Sequence, residues 1–70
     1  MDNEWKKVYS TDKEYKAVIL REKLAEAEIE SNQISKKGSE IELFIGLIDI
    51  YVLENDLEKA SKIINQHPEL

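Results

Sequence analysis

Few side chains in this chain can do chemistry, and they are scattered. There is one histidine, His67, in the last residues, one arginine, Arg21, and no cysteine. Without cysteine there are no disulfides, thiolate nucleophiles or thiolate metal ligands. A lone histidine with no second ligand beside it makes no metal site. Ser10 and Thr11 are hydroxyls in a short polar run, Ser10-Thr11-Asp12-Lys13. A hydroxyl becomes a nucleophile only with a general base next to it, and no histidine is placed to serve. An acylphosphatase-like enzyme would want an arginine and glycine-supplied N–H groups in that run; Asp12 would instead repel a phosphate. The carboxylates sit mostly at exposed helical positions, where a solvated face explains them better than acid–base work. The expectation is that the chain is not an enzyme, has no catalytic residue, and binds neither metal nor cofactor.

The elements that position these residues are legible. Residues 4–10 contain Trp5, Val8 and Tyr9 and read as a strand. The alternation is imperfect, because Val8 falls on the face opposite Trp5 and Tyr9. Ser10, Thr11 and Asp12 are good N-caps, and Thr11 with Glu14 is a capping-box pair. A helix over 12–28 follows, with Ala17, Leu20, Leu24 and Ala27 on one face. Residues 30–35 read as a polar edge strand, and Lys36-Lys37-Gly38-Ser39 as a turn. Residues 41–53 are strongly apolar. Gly46 marks a bulge or the start of the true strand, 47–53, in which Asp49 faces solvent between buried isoleucines. Glu54-Asn55-Asp56 caps a second helix, 55–66, with a stripe of Leu57, Ala60, Ile63 and Ile64, ended by Pro68.

The order is β-α-β-β-α. Each helix has one apolar stripe, so both must lie on the same face of one sheet. This predicts an α+β fold, a ferredoxin-like sandwich with a small antiparallel or mixed sheet. The first strand is expected to be central, with the third antiparallel to it. Seventy residues form a single domain, 1–70, with an ordered core of about 4–66. So short a chain buries only ~60% of the surface its unfolded form exposes, so function belongs on a surface rather than in a deep cleft.

Charge narrows the partners. Residues 1–37 carry eight basic and eight acidic side chains; residues 38–70 carry two and seven, which supplies the net −5. An acidic half disfavours nucleic acid. The longest apolar run, Leu43 to Ile48, is far short of a membrane span, and the acidic, polar N-terminus carries no signal-peptide pattern. A cytoplasmic location is expected. Trp5, Tyr9 and Tyr51 offer more aromatic surface than one thin core layer hides, with Tyr9 and Tyr51 on neighbouring strands. Core packing or a sheet-mediated dimer explains them better than base stacking. The segment 36–47, with Gly38, Phe44, Ile45 and Gly46, is more apolar than a plain loop needs; it is either a partner-binding loop or an extension of the third strand. Trp5, Tyr9, Tyr51, Gly38, Phe44, Ile45 and Gly46 are therefore the candidate partner-binding residues.

Val8-Tyr9-Ser10-Thr11-Asp12, then Ala17, Leu20 and Leu24, then Ala27-Glu28-Ile29-Glu30, then Gly46 through Val52 and Asn55-Asp56-Leu57-Glu58-Lys59-Ala60, resemble a family of short bacterial domains named as prokaryotic signal transducing proteins. The resemblance covers about residues 5–65. It implies a ferredoxin-like fold similar to that of the nitrogen-regulatory PII proteins, and no established activity. Glu28 stands where the family carries a glycine. The expected role is a non-enzymatic regulatory module acting through protein contact or a small ligand. The alternatives are a homo-oligomerising structural domain and, last, a small acylphosphatase-like enzyme.

Overall fold

In a computed structural model, which describes residues 3–36 and 47–70, five regular elements account for most of the chain. They are β1 (Trp5–Thr11), α1 (Glu14–Glu26), β2 (Ser31–Lys36), β3 (Leu47–Leu53) and α2 (Leu57–Asn65). A 3₁₀ turn, Glu54–Asp56, leads into α2. The expected sites Gly38, Phe44, Ile45 and Gly46, with the bulge assigned to Gly46, lie outside the described residues.

The α+β reading holds: three strands form one antiparallel sheet, with both helices against it. The strand order differs from expectation. It is β1-β3-β2, so β3 and not β1 is central. Both outer strands run antiparallel to β3, so β1 and β2 are parallel with β3 inserted between them, the split β-α-β arrangement. The physical reason is apolar content. β3 reads Leu-Ile-Asp-Ile-Tyr-Val-Leu, whereas β1 carries two lysines and β2 is mostly Ser, Asn and Gln. The central position is covered best, so the most apolar strand gains most there, and the polar strands tolerate the edges.

Ile48, Ile50 and Val52 alternate along β3 and point one way. Against them pack Ala17, Leu20 and Leu24 of α1, Ala60 of α2, and Ile29. Leu57, Ile63 and Ile64 close the margin as partly buried neighbours.

Val8 explains the broken alternation in β1. Lys7 pairs with Tyr51 and Tyr9 with Ile50, which leaves Val8 unpaired in a β-bulge. The extra residue switches the parity of the strand. Trp5 and Lys7 stand opposite Leu53 and Tyr51, while Val8 and Tyr9 both pack against the core. Tyr9 therefore does not share a face with Trp5 and Tyr51, as its spacing from Trp5 had suggested. Its hydroxyl donates to the backbone oxygen of Leu70 at 2.8 Å.

The helix boundaries also correct the reading. The N-cap of α1 is Lys13, and no side chain caps it. The Thr11–Glu14 capping box is absent. Thr11 Oγ1 accepts from the Lys13 N–H at 3.0 Å, a two-residue side-chain turn that leads into the helix. Glu54, Asn55 and Asp56 form the 3₁₀ turn rather than side-chain caps. That turn is tied to the N-terminus, where Glu54 N–H donates to Glu4 O and Asn55 N–H to Asn3 Oδ1.

The C-terminus of α1 is a Schellman motif. Ile29 N–H reaches Leu24 O at 2.8 Å and Glu28 N–H reaches Ala25 O at 2.9 Å. Ile29 and Leu24 then meet in the core. The motif needs a left-handed residue, and Glu28 has φ 62°. A residue with a Cβ costs about 1–2 kcal/mol there, so a glycine would be favoured at this position.

Two stability predictions follow from this geometry. Glu28→Gly should raise stability by about 0.5–1 kcal/mol, the relieved strain being partly offset by a more flexible unfolded chain. Leu24→Ala should cost about 2–5 kcal/mol, and Ile64→Ala less, because Leu24 is fully enclosed and Ile64 is not. Urea unfolding midpoints check both; a lowered midpoint for Glu28→Gly would mean that the left-handed conformation is not strained.

Candidate functional site

Among the described residues, the sheet has one face covered by the helices and one without them. Alternation and register place Trp5, Lys7 and Ser10 of β1, Asn32 and Ile34 of β2, and Leu47, Asp49, Tyr51 and Leu53 of β3 on the second face. Rows run across it as Trp5–Leu53, Lys7–Tyr51–Asn32 and Ser10–Asp49–Ile34. Three large apolar side chains there remain well exposed: Trp5 at 41%, Ile34 at 46% and Leu47 at 48%. Tyr51 is half-buried between Lys7 and Asn32. Of the expected partner-binding residues, the structure brings Trp5 and Tyr51 together on this face and sends Tyr9 to the other.

At its centre lies a feature that sequence reasoning missed. Asp49, expected in solvent, is only 2% exposed. It stands on the central strand, with Ser10 and Ile34 as its register partners on either side. A buried carboxylate requires hydrogen-bond donors. Ser10 stands directly opposite on β1 and donates its hydroxyl to Asp49 Oδ1 at 2.8 Å. The available signal was the Ile-Asp-Ile triplet: a carboxylate in the most apolar strand of a small domain needs a partner across the ladder.

A serine hydroxyl beside a carboxylate is half of a nucleophile–base pair. Here the hydroxyl serves the buried charge, and Ser10 and Asp49 are cross-strand neighbours in mid-sheet rather than groups converging on a cleft. Thr11 is turned to the Lys13 amide. His67 Nδ1 pairs with Glu69 in its own tail at 3.3 Å. Among the described residues no group of three or more His, Cys, Asp or Glu side chains is placed to hold a metal. Among them, too, no helix is long and apolar enough to cross a membrane.

A second surface lies on the other side of the molecule. A groove of about 400 Å³ runs between α1 and the outer edge of β2, with Val18, Ala25 and Ile29 beneath Arg21, Ser31 and Gln33. Arg21 spans it: Nε donates to Ser31 Oγ at 3.1 Å and a terminal nitrogen to Ser31 O at 3.3 Å. The lone arginine is thus a tie between helix and strand. Its signal in the sequence was Val18 and Ala25, apolar residues off the buried stripe of Ala17, Leu20 and Leu24.

The fold is that of a small ferredoxin-like α+β domain. Residues 5–67 match the family model described as "Putative prokaryotic signal transducing protein", and the chain belongs to that family. No curated protein and no solved structure gives a significant match.

Ser10→Ala should destabilise the domain by about 1–3 kcal/mol, because it removes a donor from a buried carboxylate. Chemical denaturation measures this. A variant as stable as the parent would show that the Ser10 hydroxyl contributes nothing to holding Asp49.

Proposed function

We propose that this member of the family is a non-enzymatic regulatory module that acts in the cytoplasm through protein contact, using the helix-free face of its sheet. The supporting observation is that Trp5, Ile34 and Leu47, one large apolar side chain from each strand, stand well exposed on that single face. Singly exposed apolar residues are ordinary; several gathered on one rigid face mark a site of association. Trp5 and Tyr51 are anchors of the type enriched at the energetic centre of interfaces. A sheet fixes them in place, which lowers the entropy lost on binding.

A protein partner fits better than a nucleic acid. The face carries Lys7 beside a buried carboxyl group, and the whole chain has net charge −5. A phosphate backbone would meet no basic stripe. The absence of cysteine accords with a reducing compartment.

Site-specific photo-crosslinking in the native cell tests this reading. A photoreactive phenylalanine analogue at Trp5 or Tyr51 should give discrete protein adducts; the same analogue at Glu58, on the exposed side of α2, should not. Labelling that is equal at all three positions, or nucleic-acid adducts from Trp5, would overturn it. In the same preparations, acyl phosphates and phosphoesters should not turn over. Hydrolysis lost on Ser10→Ala, with folding retained, would replace the module by an enzyme.

A further inference from the structure

The free edge of β2 has its own chemistry. Among the described residues β2 pairs only with β3, so one side of its backbone ladder is open. Two bonds show which groups face outward. Ser31 O accepts from Arg21, and Gln33 N–H turns to Asn32 Oδ1 at 3.2 Å. Neither group is directed at β3. Since outward and inward residues alternate in an antiparallel ladder, residues 31, 33 and 35 present their N–H and C=O groups to the edge.

We propose that this edge pairs with the same edge of a second copy of the chain, about a two-fold axis at Gln33. An antiparallel partner must set outward residues opposite outward residues. Centring on Gln33 places Gln33 opposite Gln33 and Ser31 opposite Ser35, each such pair exchanging both backbone bonds once Gln33 N–H leaves Asn32 Oδ1 and Ser31 O is shared with or released by Arg21. The same register sets Glu30 of each copy opposite Lys36 of the other, so opposite charges meet at both ends of the seam. Ile34 falls opposite Asn32, which continues the helix-free face into one six-stranded surface. A shift by one residue opposes outward to inward groups. A shift by two separates Glu30 from Lys36 and shortens the ladder. The strand is thus self-complementary in backbone and in charge, as a two-fold interface requires.

Two further observations select this edge. The free edge of β1 is blunted by the Val8 bulge and by Lys6 and Lys7, devices that prevent strand pairing. β2 has no bulge and no proline, and its lysine stands at the terminus where Glu30 would meet it. In addition, Tyr15 and Val18 of α1 are 60% and 50% exposed. Val18 lines the groove beside β2, and Tyr15 lies one turn away on the same stripe. In the paired sheet the two α1 helices flank the seam on one face, and the grooves of the two copies merge.

Sedimentation equilibrium of the full chain at tens of micromolar tests the proposal. The parent should sediment at twice 8.2 kDa. Gln33→Pro removes an outward N–H that an edge strand can spare, and should give a monomer with an unchanged circular dichroism spectrum. Glu30→Lys and Lys36→Glu should each weaken the dimer about 3–30-fold by placing like charges opposite one another at both ends. The double variant Glu30→Lys/Lys36→Glu should restore it. A parent that is monomeric at this concentration overturns the proposal. So does a Gln33→Pro protein that dimerises like the parent, or a double variant no better than either single one. Should Gln33→Pro fail to fold, the charge series alone decides.

Discussion

Burial of the Ile48-Ile50-Val52 stripe is the constraint on which the rest depends. Among the described residues, these three side chains are the strand run against which both helices pack. They must therefore lie on the strand that both helices can reach, and β3 becomes central. That choice sends β1 and β2 to the edges and commits the even face of β3 to the helices. It leaves Asp49 and Tyr51 on the other side. The placement of Trp5 and Ile34 follows from pairing with that strand, through the Val8 bulge on one side and an unbroken register on the other.

The same constraint explains the buried charge. Asp49 lies on the central strand between Ser10 of β1 and Ile34 of β2 and is only 2% exposed. Asp49 pays a desolvation penalty that an exposed carboxylate would not, and Ser10 offsets part of it. A fixed hydrogen bond across the ladder also penalises a one-residue slip, which would move Ser10 to the opposite face. The Ser10–Asp49 pair thus favours the register that the apolar residues alone leave less sharply defined, since β1 has few of them.

The sequence made the helices, the strands and the shared face legible because those follow from local periodicity. Ala17, Leu20 and Leu24 repeat at helical spacing, and Ile48, Ile50 and Val52 at strand spacing, without reference to anything distant. The strand order was misread because it is decided by a comparison between strands, and the comparison turns on apolar content rather than on position in the chain. Tyr9 was misplaced for a different reason: a bulge shifts parity without leaving a glycine or proline to announce it. Thr11 and Glu14 satisfied a capping pattern, yet the hydroxyl found the nearer Lys13 amide. Of the candidate partner residues, Trp5 and Tyr51 share one face of the sheet because no bulge interrupts the register between them. Asp49 and the groove beside β2 escaped because each is made by residues far apart in sequence.

The two edges of the sheet show that strand pairing is controlled locally. Among the described residues β1 and β2 occupy equivalent topological positions, each pairing with β3 alone. A small sheet with both edges open could polymerise, since each copy would offer two complementary surfaces. Blunting one edge removes that outcome. The Val8 bulge and the two lysines are features that disfavour pairing of β1 with further strands, and the same bulge turns Val8 and Tyr9 into the core. If β2 is the remaining open edge, association through it ends at two copies, because a two-fold contact consumes the surface it uses. The helix-free face lies perpendicular to that edge and is not consumed. A dimer would present it twice, side by side, to a partner that recognises Trp5 and Tyr51.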